Sequence, residues 1–203
     1  MSFAFASYNQ FGIVISADRR LTGTTSSHEK YVISDSCQKL LISKQGYAVA
    51  FVGEALVDGA PVPIKMQEAI EQLDADMCLK DFFQSFMNEM PECPEGDITF
   101  IGAGYEDGTP HIYTATAKTP GIILKGDTCY TGATDIGKTL ICAVPTDYRS
   151  MSLQTRIDFH RFITEAISKL QRFGAVRQTV SADCDVVAID RHGVCFNDFH
   201  VLC

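Results

Sequence analysis

The sequence has few positive charges and none of the segments that direct a chain into or across a membrane. It carries 17 Lys and Arg against 25 Asp and Glu, a net charge of −8 at pH 7. Nucleic-acid binding needs clustered Lys and Arg, so this balance argues against a phosphate-backbone partner. No apolar run approaches the roughly 18 residues of a membrane helix, and no basic segment precedes an apolar one at the N-terminus. We therefore expect a cytoplasmic protein with no signal peptide and no membrane partner.

The sequence also lacks Cys-x-x-Cys pairs, although it contains eight cysteines. Metal sites usually have closely spaced ligands, and disulfide frameworks belong to short secreted chains. The dispersed cysteines are therefore interpreted as buried, reduced thiols. The spacing of His111, His160, His192 and His200 is not that of metal ligands either. We expect no metal and no organic cofactor.

Internal repeats, linkers and low-complexity segments are absent from the sequence as well. The 203 residues are 46% hydrophobic and 21% charged, which is an ordinary globular composition. A chain of this length has ample material for a hydrophobic core. We therefore expect a single domain that spans residues 1–203.

What the sequence does contain is a series of hairpins interrupted by helical segments. Short polar turns with glycine favour antiparallel pairing of neighbouring strands. The predicted strand pairs are Phe3–Tyr8 with Ile13–Ala17, Lys39–Ile42 with Tyr47–Val52, Ile98–Ala103 with Ile112–Thr116, Ile122–Leu124 with Thr128–Tyr130, and Cys184–Ile189 with Val194–Val201. Apolar residues at helical spacing predict helices as well. These lie at Met66–Leu73, Leu79–Met90 and Ser152–Phe173.

The longest predicted helix has clear signals at both ends. Ser152 is suited to cap its N-terminus, and Gly174 has the permissive backbone that ends a helix. Its predicted buried face consists of Phe159, Phe162, Ile163, Ala166, Ile167, Leu170 and Phe173.

Several strands are apolar at nearly every position, for example Ile13–Ala17 and Val186–Ile189. Both faces of such strands need cover. Two antiparallel sheets packed face to face, with helices outside each sheet, provide it. The sequence therefore predicts an α+β fold.

The first quarter of the chain carries four elements in a defined order. An alternating strand begins at Ser2, and the first hairpin ends in the run Ala17-Asp18-Arg19-Arg20-Leu21-Thr22. Lys39 then opens an apolar strand, and Gly53 closes the next one. With these elements the chain resembles the proteasome family of N-terminal-nucleophile hydrolases, specifically its catalytic β-type subunits and their bacterial relatives. The resemblance implies a four-layer αββα sandwich.

The resemblance also implies a role for each motif residue. Ser2 takes the nucleophile position, and removal of Met1 would leave it with a free α-amine that can accept the hydroxyl proton. Lys39 would lower the pKa of that amine, and Asp18 would pair with Lys39. The backbone N–H of Gly53 would bind the oxyanion. Thr22 would align the substrate as an added strand.

Several positions depart from the family pattern. The nucleophile is Ser rather than Thr, and Gly53-Glu54 stands where the family has two glycines. The segment Thr131-Gly132-Ala133 lacks the supporting serine. The late segment 177–183 keeps only Ser181 and Asp183, both shifted. These departures leave a catalytically inactive assembly or binding protein of the same fold as an alternative, and a small-molecule amidase as another.

A rival motif is present at Gly132–Thr139, which fits the phosphate-binding Walker A pattern and would make the chain a nucleotide binder. Its flanking segments are hairpins rather than repeated βαβ units. We therefore interpret these residues as the end of a strand followed by the start of a helix.

Taken together, the residues and the resemblance predict a cytoplasmic, proteasome-like hydrolase of the threonine/serine peptidase type. Its catalytic residues would be Ser2, Asp18, Lys39 and Gly53, with Thr22 binding substrate. The family encloses its sites in stacked rings, so a homo-oligomeric ring is expected. The substrates would be peptides or proteins, and the resemblance leaves room for an ATP-dependent unfoldase partner.

Overall fold

The structure is a computed structural model that describes residues 2–24, 30–74, 76–91, 97–143, 147–174 and 178–199. Met1, His200 and Val201 lie outside these ranges. The strands are β1 (Phe3–Asn9), β2 (Gly12–Asp18), β3 (Leu21–Thr24), β4 (Lys30–Ser34), β5 (Leu40–Ile42), β6 (Ala48–Gly53), β7 (Leu56–Val57), β8 (Ala60–Pro61), β9 (Ile98–Glu106), β10 (Thr109–Thr116), β11 (Thr119–Leu124), β12 (Thr128–Gly132), β13 (Cys184–Asp190) and β14 (Gly193–Asp198). The helices are α1 (Val62–Gln72), α2 (Leu79–Glu89), α3 (Thr134–Ala143) and α4 (Leu153–Phe173).

Two five-stranded antiparallel sheets form the centre of the protein. The first has the order β12-β1-β2-β13-β14, and the second has the order β11-β10-β9-β6-β5. Apolar side chains from both sheets meet between them, and α1 and α2 pack on the outer face of the second sheet. The outer face of the first sheet packs against α3 and α4. The predicted α+β fold, a four-layer αββα sandwich, is confirmed.

The first strand illustrates why the sheets can pack so closely. Ala4 and Ala6 of β1 point into the layer between the sheets, whereas Phe3 and Phe5 point toward the helices. Side chains alternate between the two faces of a strand, so small residues fall on one face and large ones on the other. Strand β1 is thus buried on both of its faces, between the other sheet on one side and the helices on the other.

One predicted strand pairing is wrong. Ile122–Leu124 and Thr128–Tyr130 do not pair with each other, because β11 pairs with β10 and β12 pairs with β1. The two strands are edges of different sheets, and the short segment between them crosses from one sheet to the other. A short polar turn can connect two strands of a hairpin or two strands of different sheets. The sequence pattern therefore could not distinguish these two kinds of connection.

The buried face of α4 also differs from the prediction. Phe162, Leu170 and Phe173 are exposed, with 59%, 46% and 83% of their surface accessible. The helix instead buries a set in which five of eight residues are polar, namely Arg156, Ile157, His160, Ile163, Thr164, Ile167, Ser168 and Gln171. The predicted ends are correct, because Ser152 Oγ accepts from Thr155 N and Gly174 is the C-cap residue.

The polar residues of α4 are buried because the first sheet offers them partners. His160 Nε2 lies 2.9 Å from Ser7 Oγ, and His160 Nδ1 lies 3.0 Å from Ser16 Oγ. Arg156 donates to the carbonyls of Ser7 and Gly12 at 3.1 and 2.7 Å. Burial, with the nearby Arg156 cation, holds the pKa of His160 well below its usual range. The helix is thus oriented by hydrogen bonds as well as by apolar contact.

The cysteines agree only in part with the expectation of buried thiols. Cys129 and Cys184 are buried, and burial raises their pKa values to about 11 and about 12. Cys142 and Cys195 are exposed, so burial was overpredicted for them. All six cysteines among the described residues are free. Within the described ranges, no helix is long and apolar enough to span a membrane.

Candidate active site

Lys39 lies at the centre of a buried polar cluster at one end of the sandwich. Its ammonium nitrogen is 2.7 Å from Ser2 Oγ and 3.0 Å from Asp18 Oδ1. It also donates to the backbone carbonyl of Arg20. Lys39 and Asp18 are fully buried, and Ser2 is 5% exposed. Three motif residues that were separated in the sequence are therefore in direct contact.

Asp18 is held by hydrogen bonds on both of its carboxylate oxygens. Oδ1 accepts from Phe3 N at 2.8 Å as well as from Lys39. Oδ2 accepts from Arg20 N at 2.9 Å and from Ser181 N at 3.3 Å. A buried carboxylate needs hydrogen bonds of this kind, because burial of an unpaired charge would lower the free energy of unfolding. The bond to Phe3 N also ties Asp18 to the residue that follows Ser2.

The sheet register explains how these residues meet. In the antiparallel β1–β2 pair, Ala4 lies opposite Ala17, so the start of β1 lies beside the end of β2. Lys39 comes from the other sheet, since it immediately precedes β5 and its carbonyl accepts from Phe51 N of β6. The cluster therefore forms where the ends of the two sheets face each other. Its assembly depends on the packing of the whole sandwich.

The Ser2 backbone is held in place by the residues at the end of β12. Its carbonyl oxygen accepts from Ala133 N at 2.8 Å. Gly132 has φ +97°, and a Cβ at this position would lie 1.8 Å from Ser2 O. Only glycine avoids both the strained backbone and this overlap. The segment that fitted a phosphate-binding motif thus has a different role, because β12 ends at Gly132 and α3 begins at Thr134 as interpreted from the sequence.

The remaining two predicted site residues, Gly53 and Thr22, lie on strands of different sheets. Gly53 is the last residue of β6, with φ +127°, and its backbone approaches Asp97 closely. Val52, the residue before it, lies beside Gly132, because Val52 Cγ1 would be 2.8 Å from a Cβ there. Thr22 lies in β3, which pairs only with β4 among the described strands. None of the described contacts joins Gly53 or Thr22 directly to the Ser2 side chain.

Sequence reasoning did not assign a second layer of residues around Asp18. Ser181 Oγ accepts from Arg19 N at 2.9 Å and donates to the carbonyl of Asp183 at 2.6 Å. Arg19 forms a buried ion pair with Asp185, at 3.6 Å between Nε and Oδ1. In the sequence, Ser181 appeared only as a shifted serine, and Arg19 as part of a strand-end motif. A charged residue inside an otherwise apolar strand, such as Asp185, was the signal that could have found this layer.

The cluster combines a hydroxyl, a cation and a carboxylate in a buried site. Such a combination suits nucleophilic attack, because the cation stabilises negative charge that develops nearby. Within the described part of the chain, no group of three His, Cys, Asp or Glu residues could hold a metal ion.

Comparisons with known proteins bear on the fold. No protein-family model matches the chain, and no curated protein matches it in sequence. Its structure is similar to that of Anbu from Hyphomicrobium sp. strain MC1, a proteasome relative of the N-terminal-nucleophile hydrolase type. The TM-score is 0.66 at 15% identity, over 97% of this chain and 86% of that one. The fold is proteasome-like. An Anbu (Gly-1) mutant from the same organism gives a TM-score of 0.64 at 15% identity, over 98% and 86% of the two chains.

The assignment of the chain to the catalytic β-type subunits of the proteasome is therefore wrong. The structures reported above are Anbu proteins, and 15% identity shows a shared fold alone. The motif elements at Ser2, Asp18, Lys39 and Gly53 all lie at or beside strand ends of the sandwich. The motif spacing therefore indicated the fold and not the branch.

Proposed function

We propose that this chain is a hydrolase of the N-terminal-nucleophile type that cleaves peptide bonds with the Ser2 hydroxyl. The observation that carries the proposal is the contact of Lys39 Nζ with Ser2 Oγ at 2.7 Å, beside the Asp18 carboxylate at 3.0 Å. Lysine side chains usually remain exposed, because burial of their charge costs free energy. The complete burial of Lys39 against a serine hydroxyl therefore supports a functional role for this contact. The proteasome-like fold supports the same chemistry by analogy.

The general base in this proposal is the α-amine of Ser2, freed by removal of Met1. Lys39 already directs its ammonium group at three acceptors, which are Ser2 Oγ, Asp18 Oδ1 and Arg20 O. An ammonium has three donors and no acceptor, so Lys39 in this arrangement cannot take the hydroxyl proton. A free amine can, because its ordinary pKa of about 7.7 to 8.0 leaves part of it neutral near pH 7. The nearby cation would increase that neutral part.

The proposed substrate is an extended peptide that adds to the free edge of β3. Among the described strands β3 pairs only with β4, and Thr22 is central in it. Backbone hydrogen bonds to an added strand give affinity without strict sequence selectivity. The Gly53 N–H is proposed as the oxyanion donor, for which one such bond is worth about 3 kcal/mol. A small-molecule amide would use the same nucleophile but would not need the β3 edge.

A peptidase of this type is also proposed to act as a homo-oligomeric ring, with an unfoldase as a partner that delivers substrates. The support in this chain is the exposed side of α4, where Phe162, Leu170 and Phe173 lie within one face of the helix. Contiguous exposed apolar residues commonly mark protein interfaces.

The test is covalent labelling of Ser2. Protein from its native host is analysed by intact mass and N-terminal sequencing, and then treated with a serine-directed acylating probe. We expect Ser2 as the first residue and a single label on it. Ser2→Ala should abolish the label, whereas the exposed control Ser150→Ala should keep it.

Two results would contradict the proposal. One is a label that survives Ser2→Ala. The other is the absence of labelling and of peptide cleavage in protein that begins at Ser2. That second result would favour the non-catalytic assembly or binding protein.

A further inference from the structure

A cleft lies at the opposite end of the sandwich from Ser2. Its volume is about 840 Å³, within the range of roughly 300 to 1,000 Å³ that is usual for small-molecule sites. Strand β1 runs from the candidate active site to this cleft, since Ser2 precedes it and Asn9 ends it. At about 3.3 Å per residue the two sites are about 20 Å apart. The cleft is therefore separate from the proposed catalytic chemistry.

Turns and strand ends from both sheets build the walls of the cleft. Tyr8 comes from β1, Tyr105 and Pro110 come from the β9–β10 hairpin, and Asp127 comes from the crossing segment. Tyr8 N donates to the Asp127 carbonyl at 2.9 Å, which joins two of these walls. Aromatic rings and proline offer apolar faces on which a ligand body can pack. The sandwich core holds these walls in fixed positions.

Two arginines give the cleft its charge. Arg149 and Arg191 both line it, and within the described ranges neither guanidinium has a hydrogen-bond or ion-pair partner. The acidic residue in the lining is Asp127. An excess of arginine in a chain of net charge −8 is a local reversal of sign. Guanidinium groups are well suited to carboxylate and phosphate because they donate two parallel hydrogen bonds.

The backbone of the segment that carries Arg149 is held in place by the buried residue Asn9. Asn9 Nδ2 donates to the carbonyls of Tyr148 and Met151 at 2.7 and 2.8 Å, and its Oδ1 accepts from Phe11 N at 2.9 Å. The segment that carries Arg149 is thereby tied to the β1–β2 turn. A ligand-binding residue benefits from such support, since less ordering is required on binding.

We propose that this cleft binds a small organic anion, with a carboxylate or phosphate held by Arg149 and Arg191 and an apolar body packed between Tyr8 and Tyr105. The site is independent of the proposed hydrolase activity. Its occupant is a ligand rather than a substrate, because none of its lining residues belongs to the Ser2 cluster.

The test uses phenyl phosphate and benzoate as probes, with benzyl alcohol as the uncharged comparison, in isothermal titration of the full chain. We expect saturable binding of at least one anion and none of the alcohol, and the two anions distinguish a phosphate from a carboxylate ligand. The double variant Arg149→Ala, Arg191→Ala should weaken binding at least tenfold. The matched control Arg172→Ala removes an exposed arginine from α4 and should leave binding unchanged, as should Ser2→Ala.

A site-resolved measurement accompanies the titration. Phenylglyoxal modifies accessible arginines, and peptide mass spectrometry locates the modified residues. The bound anion should protect Arg149 and Arg191 but not Arg172. The proposal is overturned if neither anion binds saturably, or if Arg172→Ala weakens binding as much as the double variant. Equal protection of all three arginines would overturn it too, because the effect would then be one of general charge.

Discussion

Gly132→Ala provides the sharpest test of how the nucleophile is positioned. The added Cβ would lie 1.8 Å from Ser2 O and 2.8 Å from Val52 Cγ1. To reach ordinary contact at 3.4 Å, the Ser2 carbonyl has to retreat by about 1.6 Å, although Ser2 directly precedes Phe3, which pairs with Gly132. The hydrogen bond from Ala133 N to Ser2 O would be strained or lost.

Two costs combine in this substitution. A non-glycine residue at φ +97° costs about 1–3 kcal/mol. Overpacking against fixed neighbours adds about 1–3 kcal/mol. Misplacement of a reacting group by about 1 Å can lower a rate by about 100-fold. We therefore expect Gly132→Ala to lower the free energy of unfolding by about 2–6 kcal/mol, and to slow acylation of Ser2 by at least two orders of magnitude.

Gly121→Ala is the matched control. Gly121 has φ +103°, close to that of Gly132, but a Cβ there would meet nothing within 4 Å. It isolates the cost of the backbone conformation from the cost of the overlap. Urea unfolding and the rate of labelling by an acylating probe are measured for both variants. The reasoning is refuted if Gly132→Ala is no less stable than Gly121→Ala and is acylated at the wild-type rate.

Three further predictions concern other parts of the molecule. Lys39→Met should abolish most labelling of Ser2 and lower the free energy of unfolding by about 3–5 kcal/mol, because the Asp18 carboxylate is left buried without its cation. Adding Asp18→Asn to this variant should recover stability in urea unfolding but not labelling. Undiminished labelling of the Lys39→Met variant would contradict the prediction. The depressed pKa of His160 predicts a stability that is constant above pH 6.5 and falls below it, since the unfolded chain then binds a proton that the folded chain does not. The loss between pH 7 and 5.5 should be about 1 kcal/mol in urea unfolding and absent in His160→Gln; an equal loss in that variant would assign it to other groups. Light scattering should report an assembly well above 22 kDa that Phe173→Asp disrupts, whereas Ile64→Asp, which changes an exposed residue on α1, should leave the assembly intact. A wild-type monomer at micromolar concentration would exclude the ring.

The sequence alone determined most of the elements, although not the short strands β3, β4, β7 and β8, and it singled out several residues that could carry chemistry. The hairpin Phe3–Tyr8 with Ile13–Ala17 was predictable because period-two apolar runs and turn residues are local signals. The ends of α4 were predictable for the same reason, since Ser152 and Gly174 act on neighbouring backbone groups. The need to cover apolar strands on both faces led to the layered architecture.

Only the tertiary structure decided which of these residues meet, and which faces are buried. The burial of polar residues on α4 depends on partners such as Ser7 and Ser16, which lie more than 140 residues away in the chain. The contact of Gly132 with Ser2 likewise depends on β12 crossing to pair with β1. Hydrogen-bond partners of this kind are set by the order of strands in a sheet and by the packing of the sheets. Neither leaves a periodic signal in the sequence, because each joins segments that are remote along the chain.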